Sequence, residues 1–240
     1  MIRLYVPQPL STDAAVAPTL DQSRYLSQVM RLKLGDGVLV FNGQDGEWRC
    51  VIAEVLKKGL VLRCEDQLRS QTVGPDVDLL MAVVKKSAME FAVEKATELG
   101  VRRIRPMLTA RTQGHHLRLD RLDAIAIESA EQTGRVDLPV IDEPAKLANL
   151  LEAWDSGRRL MFCDETGGVP VGAGLSREPP GEPWAILIGP EGGFSPEERD
   201  RLRAMPFATA VSLGPRVLRA DTAAIAALTL WQAAAGDWPR

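Results

Sequence analysis

The sequence predicts an α/β fold in which a small β-rich region precedes a larger region built around a mostly parallel sheet. Up to residue 72, short apolar runs are separated by turn dipeptides such as Asn42-Gly43 and Asp45-Gly46. After residue 72, apolar runs alternate with amphipathic helical patterns, which is typical of a parallel sheet covered by helices. We therefore predict one domain over residues 1–72 and a second over residues 73–240.

The N-terminal region is predicted to be a small β-barrel. Glycine, asparagine and aspartate punctuate short runs that are rich in β-branched and aromatic side chains. Closely spaced short strands with tight turns suggest such a barrel. The predicted strands cover residues 38–41, 47–55 and 60–64, and the polar stretch 67–76 is the predicted linker.

The C-terminal region alternates predicted strands and helices. Ser87 and Glu90 have the spacing of a helix capping box, and Asp120 and Asp221 are predicted to cap two further helices. The last helix is alanine-rich and is predicted to run to Ala235. Strands are predicted over residues 77–84, 101–107, 138–141, 159–163, 184–188 and 208–213.

Composition places the chain among ordinary soluble globular proteins. Of its 240 residues, 45% are hydrophobic and 25% are charged, and the net charge of −3 means that any surface for nucleic acid must be local. Cys50, Cys64 and Cys163 form no Cys-x-x-Cys pair, and His115 and His116 are the two histidines, so we expect reduced thiols and no metal site. The chain shows no signal-peptide pattern and no apolar run long enough to span a bilayer, so we expect a cytoplasmic protein.

Two consecutive predicted strands each end in a loop that contains glycine and proline. The strand 184–188 leads into Gly189-Pro190-Glu191-Gly192-Gly193, after which Ser195 and Glu198 have the spacing of a second capping box. The strand 208–213 leads into a loop that begins Gly214-Pro215-Arg216. Ligands bind at the carboxyl ends of the strands of open α/β sheets, and glycine lets a backbone approach them closely. We therefore predict a binding site, and the active site, where the two loops meet.

The two loops suit an adenosine group. The sequence contains no P-loop pattern, no complete Gly-x-Gly-x-x-Gly fingerprint and no Gly-x-Ser-x-Gly nucleophile elbow. Backbone N–H and C=O groups of the loops can bind an adenine edge, and Leu213, Val217 and Leu218 can enclose its ring.

Four segments are distinctive and follow one another in order. They are Glu94–Val101, Glu131–Arg135, Ile188–Ser195 and Leu213–Ala223. Together they resemble the ribosomal small-subunit RNA methyltransferase E family of the knotted SPOUT superfamily, and the likeness covers nearly the whole chain. The resemblance implies a PUA-like RNA-binding barrel followed by a trefoil-knot methyltransferase domain. It also implies S-adenosylmethionine as donor, N3 of a uridine in 16S ribosomal RNA of the small subunit as acceptor, and a homodimer.

The same resemblance implies the residues of the site. An arginine would stabilise the anion that remains when uridine N3 loses its proton, and Arg219 is the first candidate, although an arginine here can equally be structural or bind a phosphate. Glu191 has the alternative role of a carboxylate near the start of the following helix. The predicted donor-binding residues are Ile188, Gly189, Pro190, Glu191, Gly192, Leu213, Gly214, Val217 and Leu218, and the predicted catalytic residues are Arg219, Arg216 and Arg135.

A local excess of basic residues is predicted to contact RNA phosphates. Between residues 102 and 121 only Asp120 opposes the positive charges, whereas near Tyr25 a solvated surface is the alternative to RNA binding. Gln132 and Arg135 can reach RNA or complete the active site of a second copy. The predicted RNA-binding residues are Arg24, Arg31, Lys33, Lys85, Lys86, Arg111 and Gln132, and the wider basic run adds Arg102, Arg103, Arg105, His115, His116, Arg118 and Arg121.

Two other functions remain compatible with the sequence. One is a knotted methyltransferase that acts on another RNA nucleotide, and the other is a non-catalytic RNA-binding module that keeps the ligand loops. The chain keeps both glycine loops, with Glu191 in the first and Arg219 in the second, which argues against a module that has lost its activity. The final helix has little polar face, so we expect it to be buried against a second copy.

Overall fold

Residues 1–73 and 130–138 form one structural unit in the computed structural model, and residues 74–129 and 139–240 form the other. The structure describes residues 1–113, 116–175 and 181–238. The sequence analysis did not predict that a short segment from the middle of the chain packs with the N-terminal region. The extent of each functional domain stays a prediction.

A five-stranded sheet forms the first unit. Its strands are β1 (Arg3–Tyr5), β2 (Ala15–Val16), β3 (Gly37–Phe41), β4 (Glu47–Leu56) and β5 (Gly59–Arg69), and α1 (Leu20–Arg24) continues into a π-helical segment, Tyr25–Val29. The strand order is β1-β3-β4-β5-β2, with one parallel pair, β1–β3, among the antiparallel pairs. Side chains from all five strands enter one core, so the sheet curves around it. β5 extends to Arg69, so the first three residues of the predicted linker 67–76 belong to this strand instead.

The turn between β3 and β4 has the predicted chemistry. The Asn42 side-chain oxygen accepts hydrogen bonds from the backbone N–H groups of Gln44, at 2.9 Å, and Asp45, at 2.7 Å. Gly43 and Gly46 have φ values of +80° and +76°, which other residues rarely adopt. These local preferences set the register in which β3 and β4 pair.

Arg3 holds residues 130–138 against residues 1–73 within the first unit. Its Nη1 donates to the carbonyls of Ala130, at 2.7 Å, and Glu131, at 2.9 Å, and its Nη2 donates to the Arg135 carbonyl at 2.7 Å. The Nε of Arg3 also donates to the Glu47 carboxylate at 2.5 Å. Both charged side chains are largely buried, so the pair and the three carbonyls satisfy one another.

The second unit is a parallel sheet covered by helices on both faces. Its strand order is β11-β13-β10-β12-β6-β7-β8, with β9 also paired to β7. All pairings between these strands are parallel, as predicted. The elements are β6 (Val77–Ala82), α2 (Lys86–Glu98), β7 (Arg103–Leu108), α3 (Leu119–Thr133), β8 (Val140–Ile141), β9 (Ala145–Lys146), α4 (Leu147–Glu152), β10 (Arg159–Cys163), β11 (Val169–Pro170), α5 (Val171–Leu175), β12 (Trp184–Ile188), α6 (Pro196–Ala204), β13 (Ala208–Ser212) and α7 (Ala220–Ala234).

The central strands are buried on both faces, which explains their uninterrupted apolar sequences. In β12, Ile186 and Ile188 enter the core beneath α2 and α7, whereas Ala185 and Leu187 enter the core beneath α4 and α6. Every residue of β6 and β12 is buried. The predicted strand over residues 184–188 is therefore confirmed, and it is buried on both faces.

Helix starts were the least accurate predictions. Ser195 and Glu198 do form the predicted capping box of α6, with Pro196 as its first residue. The prediction of a capping box at Ser87 is wrong, because α2 begins at Lys86 and its N-cap is Lys85, two residues before Ser87. Asp120 and Asp221 likewise lie inside the first turns of α3 and α7 rather than at the caps. In the first turn their negative charges still interact favourably with the helix dipole.

Candidate functional site

A cleft of about 290 Å³ lies at the carboxyl edge of the parallel sheet, where β10, β12 and β13 end. In the sheet, β10 lies between β12 and β13, so its carboxyl end emerges between the two glycine loops. The lining residues come from three loops and the start of α7: Cys163, Asp164, Glu165, Ile188, Gly189, Pro190, Glu191, Gly192, Gly193, Ser212, Leu213, Gly214, Pro215, Arg216, Val217, Leu218, Ala220 and Ala223.

The first loop is a tight turn that follows β12. The Gly193 N–H donates to the Pro190 carbonyl at 2.8 Å, and Gly193 has a φ of +65°. Gly189 lies so close to the buried ring of Phe194 that a Cβ there would come within 2.7 Å of a ring carbon. Glycine is thus required at the point where the strand ends and the cleft wall begins.

The second loop follows β13 and is much more open. Gly214 has a φ of +116°, and its N–H donates to Oγ of Ser212 at 3.3 Å. Arg216 is exposed, and Val217 is 82% exposed although its side chain is apolar. This wall therefore offers apolar and cationic surface to a ligand.

The third loop follows β10 and is fixed by a buried carboxylate. Asp164 accepts hydrogen bonds from the backbone N–H and the hydroxyl of Thr166, at 2.9 and 2.7 Å. Arg203, on α6, donates to the other oxygen of Asp164 at 2.5 Å and to the Gly167 carbonyl at 3.1 Å. The Asp164 side chain has no exposed surface, so its charge depends on these partners.

Sequence reasoning missed this third wall. The strand 159–163 was predicted, and two carboxylates follow it directly in the sequence, which was the available signal. Burial raises the pKa of the Cys163 thiol to about 12, so this residue is a neutral part of the wall. Glu165 is exposed beside Gly193 and places a carboxylate at the cleft.

The structure brings together all nine residues that were predicted to bind the donor, since each of them lines the cleft. Of the predicted catalytic residues, Arg216 also lines it. Arg219 is exposed and stands at the N-cap of α7, immediately before the lining residue Ala220. Arg135 belongs to the first unit, where its guanidinium donates to both oxygens of Asp137 at 3.1 and 2.8 Å. The catalytic role of each arginine stays a prediction.

The residues predicted to bind RNA lie in both units. Arg31 has a φ of +57°, which is unusual for a residue other than glycine. All seven are exposed: Arg24, Arg31, Lys33 and Gln132 in the first unit, and Lys85, Lys86 and Arg111 in the second. Arg111 donates to the Gly192 carbonyl at 2.8 Å, so it contacts the cleft wall. His115 lies outside the described residues.

Part of the predicted basic run is instead an ion-pair network at the amino edge of the sheet. Arg102 pairs with Asp76 at 3.2 Å, Arg103 pairs with Asp142 at 3.0 Å, and Arg105 lies between Asp142 and Asp78. The acidic partners of these arginines come from parts of the chain outside the stretch 102–121, and contact of the arginines with RNA stays a prediction.

Asp78 is the most buried member of this network. Burial raises its pKa, although Arg158 and Arg105 act in the opposite direction. Arg158 donates to Asp76 at 2.8 Å and lies 3.5 Å from Asp78. These charges stabilise the edge of the sheet opposite to the cleft.

Membrane-spanning helices and metal clusters are two features that the described parts of the chain do not contain. Within those parts, no helix is long and apolar enough to cross a membrane. Residues 1–113, 116–175 and 181–238 also bring together no three His, Cys, Asp or Glu side chains that could hold a metal ion.

Comparisons with known proteins agree on one family. The RNA methyltransferase domain model matches residues 72–232, and the RNA methyltransferase PUA domain model matches residues 18–63. The ribosomal RNA small subunit methyltransferase E of Synechocystis is 33% identical over 94% of this chain and 75% of its own length, and that of Rickettsia conorii is 29% identical over 94% and 93%. A Legionella pneumophila protein solved with bound S-adenosylmethionine is 32% identical, with a TM-score of 0.84 over 98% of both chains. This chain therefore belongs to the ribosomal RNA small subunit methyltransferase E family, and it is an RNA methyltransferase.

Proposed function

We propose that the protein transfers a methyl group from S-adenosylmethionine to N3 of a uridine in the 16S ribosomal RNA of the small subunit. The observation that carries the proposal is the cleft between the two glycine loops, at the carboxyl edge of a parallel sheet. The family membership and the related Legionella structure with bound S-adenosylmethionine support the same donor.

The residues of the cleft suit this donor. Its volume of about 290 Å³ is close to the lower end of the range for ligand pockets, roughly 300 Å³. Leu213, Val217 and Leu218 supply apolar surface for an adenine ring, and the glycine loops supply backbone N–H and C=O groups. Glu165 and Glu191 place two carboxylates where a cation would be favourable. When bound, the donor supplies a methyl group on a positively charged sulfur.

The arginines of the second loop suit the acceptor. A uridine must lose the N3 proton when that nitrogen is methylated, and a nearby guanidinium stabilises the negative charge that develops. Arg219 stands at the N-cap of α7 and Arg216 lines the cleft. Both therefore belong to the loop that would hold the donor. We assign this charge-stabilising role to Arg219, with Arg216 as the alternative within the same loop and Arg135 as the third candidate.

The proposal includes the partners. The exposed basic residues Arg24, Arg31 and Lys33 of the first unit, together with Lys85 and Lys86 of the second, would contact the RNA backbone. The two glycine loops, which follow β12 and β13, would belong to a trefoil knot. A second copy would cover α7, whose side chains Ile225, Ala226 and Leu230 are partly or fully exposed.

Donor binding is tested by calorimetry in the presence of a chelator. We expect S-adenosylmethionine and S-adenosylhomocysteine both to bind without added metal. Tight binding of ATP with no response to either adenosyl ligand would rule the donor out.

The acceptor is tested by mass mapping of ribosomal RNA from cells that lack the protein. We expect one methyl group to be missing from a uridine N3 of the 16S RNA, and the purified protein should restore it. A methyl group missing from another nucleotide would favour the alternative of a knotted methyltransferase with a different target. Unchanged RNA together with tight RNA binding would favour the non-catalytic module.

A further inference from the structure

The segment that follows β7 is tied to the first glycine loop and to α6, the helix that comes after it. Arg111 donates from Nη1 to the Gly192 carbonyl at 2.8 Å, and Gly192 lines the cleft. The backbone N–H of Ala110 donates to Oε1 of Glu198 at 2.8 Å. The other oxygen of Glu198 accepts from the Ser195 N–H at 2.9 Å, so one carboxylate both caps α6 and holds this segment.

Hydrogen bonds between Thr109 and Thr112 close this segment into a turn, and the turn fixes the backbone position of Arg111. The Thr109 N–H donates to Oγ1 of Thr112 at 2.9 Å, and the Thr112 N–H donates to the Thr109 carbonyl at 3.2 Å. The Arg111 side chain lies along the glycine loop, with its Cβ and Cδ 3.6 and 3.7 Å from the position of a Cβ added at Gly192. Arg111 is exposed, and a guanidinium has five N–H donors, so the Gly192 carbonyl occupies only part of its capacity.

We propose that Arg111 is a positioning residue that couples donor binding to RNA binding. One of its N–H groups holds the glycine loop in the shape that receives the donor, and others bind a phosphate of the RNA. This inference rests on the proposed function, because it requires that the cleft bind an adenosyl donor and that the acceptor be RNA.

The coupling follows from the ordering of one side chain. An exposed arginine loses much rotamer freedom when it is held in one geometry. The contact with the Gly192 carbonyl and the contact with an RNA phosphate share that single loss of freedom. Binding of the donor to the glycine loop therefore favours binding of RNA to Arg111, and the reverse. Because binding free energies are reciprocal, RNA must raise donor affinity by the same factor by which the donor raises RNA affinity.

The test measures equilibrium binding of radiolabelled S-adenosylhomocysteine, with and without saturating small ribosomal subunits from cells that lack the protein. For the wild type we expect the subunits to lower the dissociation constant about fivefold. Arg111→Ala should bind the ligand about threefold to tenfold more weakly on its own, and the subunits should no longer change that value. Arg201→Ala is the matched control, because it removes an exposed arginine of α6 that faces Glu152, away from the glycine loop.

Arg111→Lys separates positioning from charge. A lysine keeps the positive charge for a phosphate but lacks the planar fork that serves two partners at once. We therefore expect near-normal affinity for the subunits and no coupling, with an unchanged melting temperature.

Failure of the wild type to bind S-adenosylhomocysteine would overturn the proposed function. The further inference is overturned if the wild type binds but the subunits leave its dissociation constant unchanged. It is also overturned if Arg111→Ala or Arg111→Lys retains the full fivefold effect.

Discussion

Substitution of Gly189 by alanine tests whether the shape of the first loop controls donor binding. A Cβ at this position would lie 2.7, 3.1 and 3.2 Å from three carbons of the Phe194 ring. Carbon atoms in contact prefer separations of about 3.5–4.0 Å, so the added Cβ and the nearest ring carbon would overlap by about 1 Å. The Phe194 ring is fully buried and packs edge-on against Phe162, with ring centroids 5.1 Å apart, so it has little room to turn away.

The loop backbone must therefore move, and the cleft changes shape. Overpacking of this kind costs about 1–3 kcal/mol. If donor binding has to restore the original loop, the dissociation constant for S-adenosylhomocysteine rises about 5- to 150-fold. Calorimetry measures that constant, and urea denaturation of the same Gly189→Ala protein measures the change in the free energy of unfolding.

Two further variants make the result specific. Gly172→Ala is the matched control, because a Cβ at Gly172 meets no atom within 4 Å and the residue needs no positive φ. Phe194→Leu removes the ring atoms that the added methyl would meet, so Gly189→Ala should weaken binding less in that background. Wild-type affinity and wild-type stability in Gly189→Ala would refute the reasoning.

Three other outcomes follow from the site. Arg203→Met leaves the buried Asp164 carboxylate without its cation, and because Arg203 is itself partly exposed we expect the free energy of unfolding to fall by about 2 kcal/mol in a denaturant titration. Arg219→Ala should slow single-turnover methyl transfer at least about tenfold while donor affinity stays unchanged, and a parallel loss of affinity and melting temperature would show a structural role instead. Because burial raises the pKa of the Cys163 thiol to about 12, iodoacetamide at pH 8 should label this thiol far more slowly than free cysteine, and labelling at the free rate would contradict that raised pKa.

The sequence predicted the site where local patterns determine structure. The run 184–188 is apolar at every position because both faces of β12 are buried, and a strand of that kind is easy to recognise. The glycine loops follow such strands, so their position at the carboxyl edge was also predictable. Helix starts were less so, since a capping side chain works only where the backbone already leaves the helix.

The third wall and the amino-edge network depend on the order of strands in the sheet. Asp164 lies in the cleft wall because β10 lies between β12 and β13, an order that differs from the order along the chain. Likewise, Arg102 and Arg105 look unopposed along the sequence because Asp76 and Asp142 reach them only after the strands have paired. Asp164 and Glu165 do follow the strand 159–163 directly in the sequence, but nothing local shows where that strand lies in the sheet.

The Arg3 contacts have a consequence for anyone who wishes to isolate or transplant the N-terminal unit. A fragment that ended at residue 73 would keep Arg3 and Glu47 but lose the carbonyls of Ala130, Glu131 and Arg135, so both the three acceptors of the guanidinium and the residues that cover it would be missing. The N-terminal unit is therefore not a portable module. A version that folds alone must carry residues 130–138 on a new linker, or replace Arg3 and Glu47 together with apolar residues of similar volume.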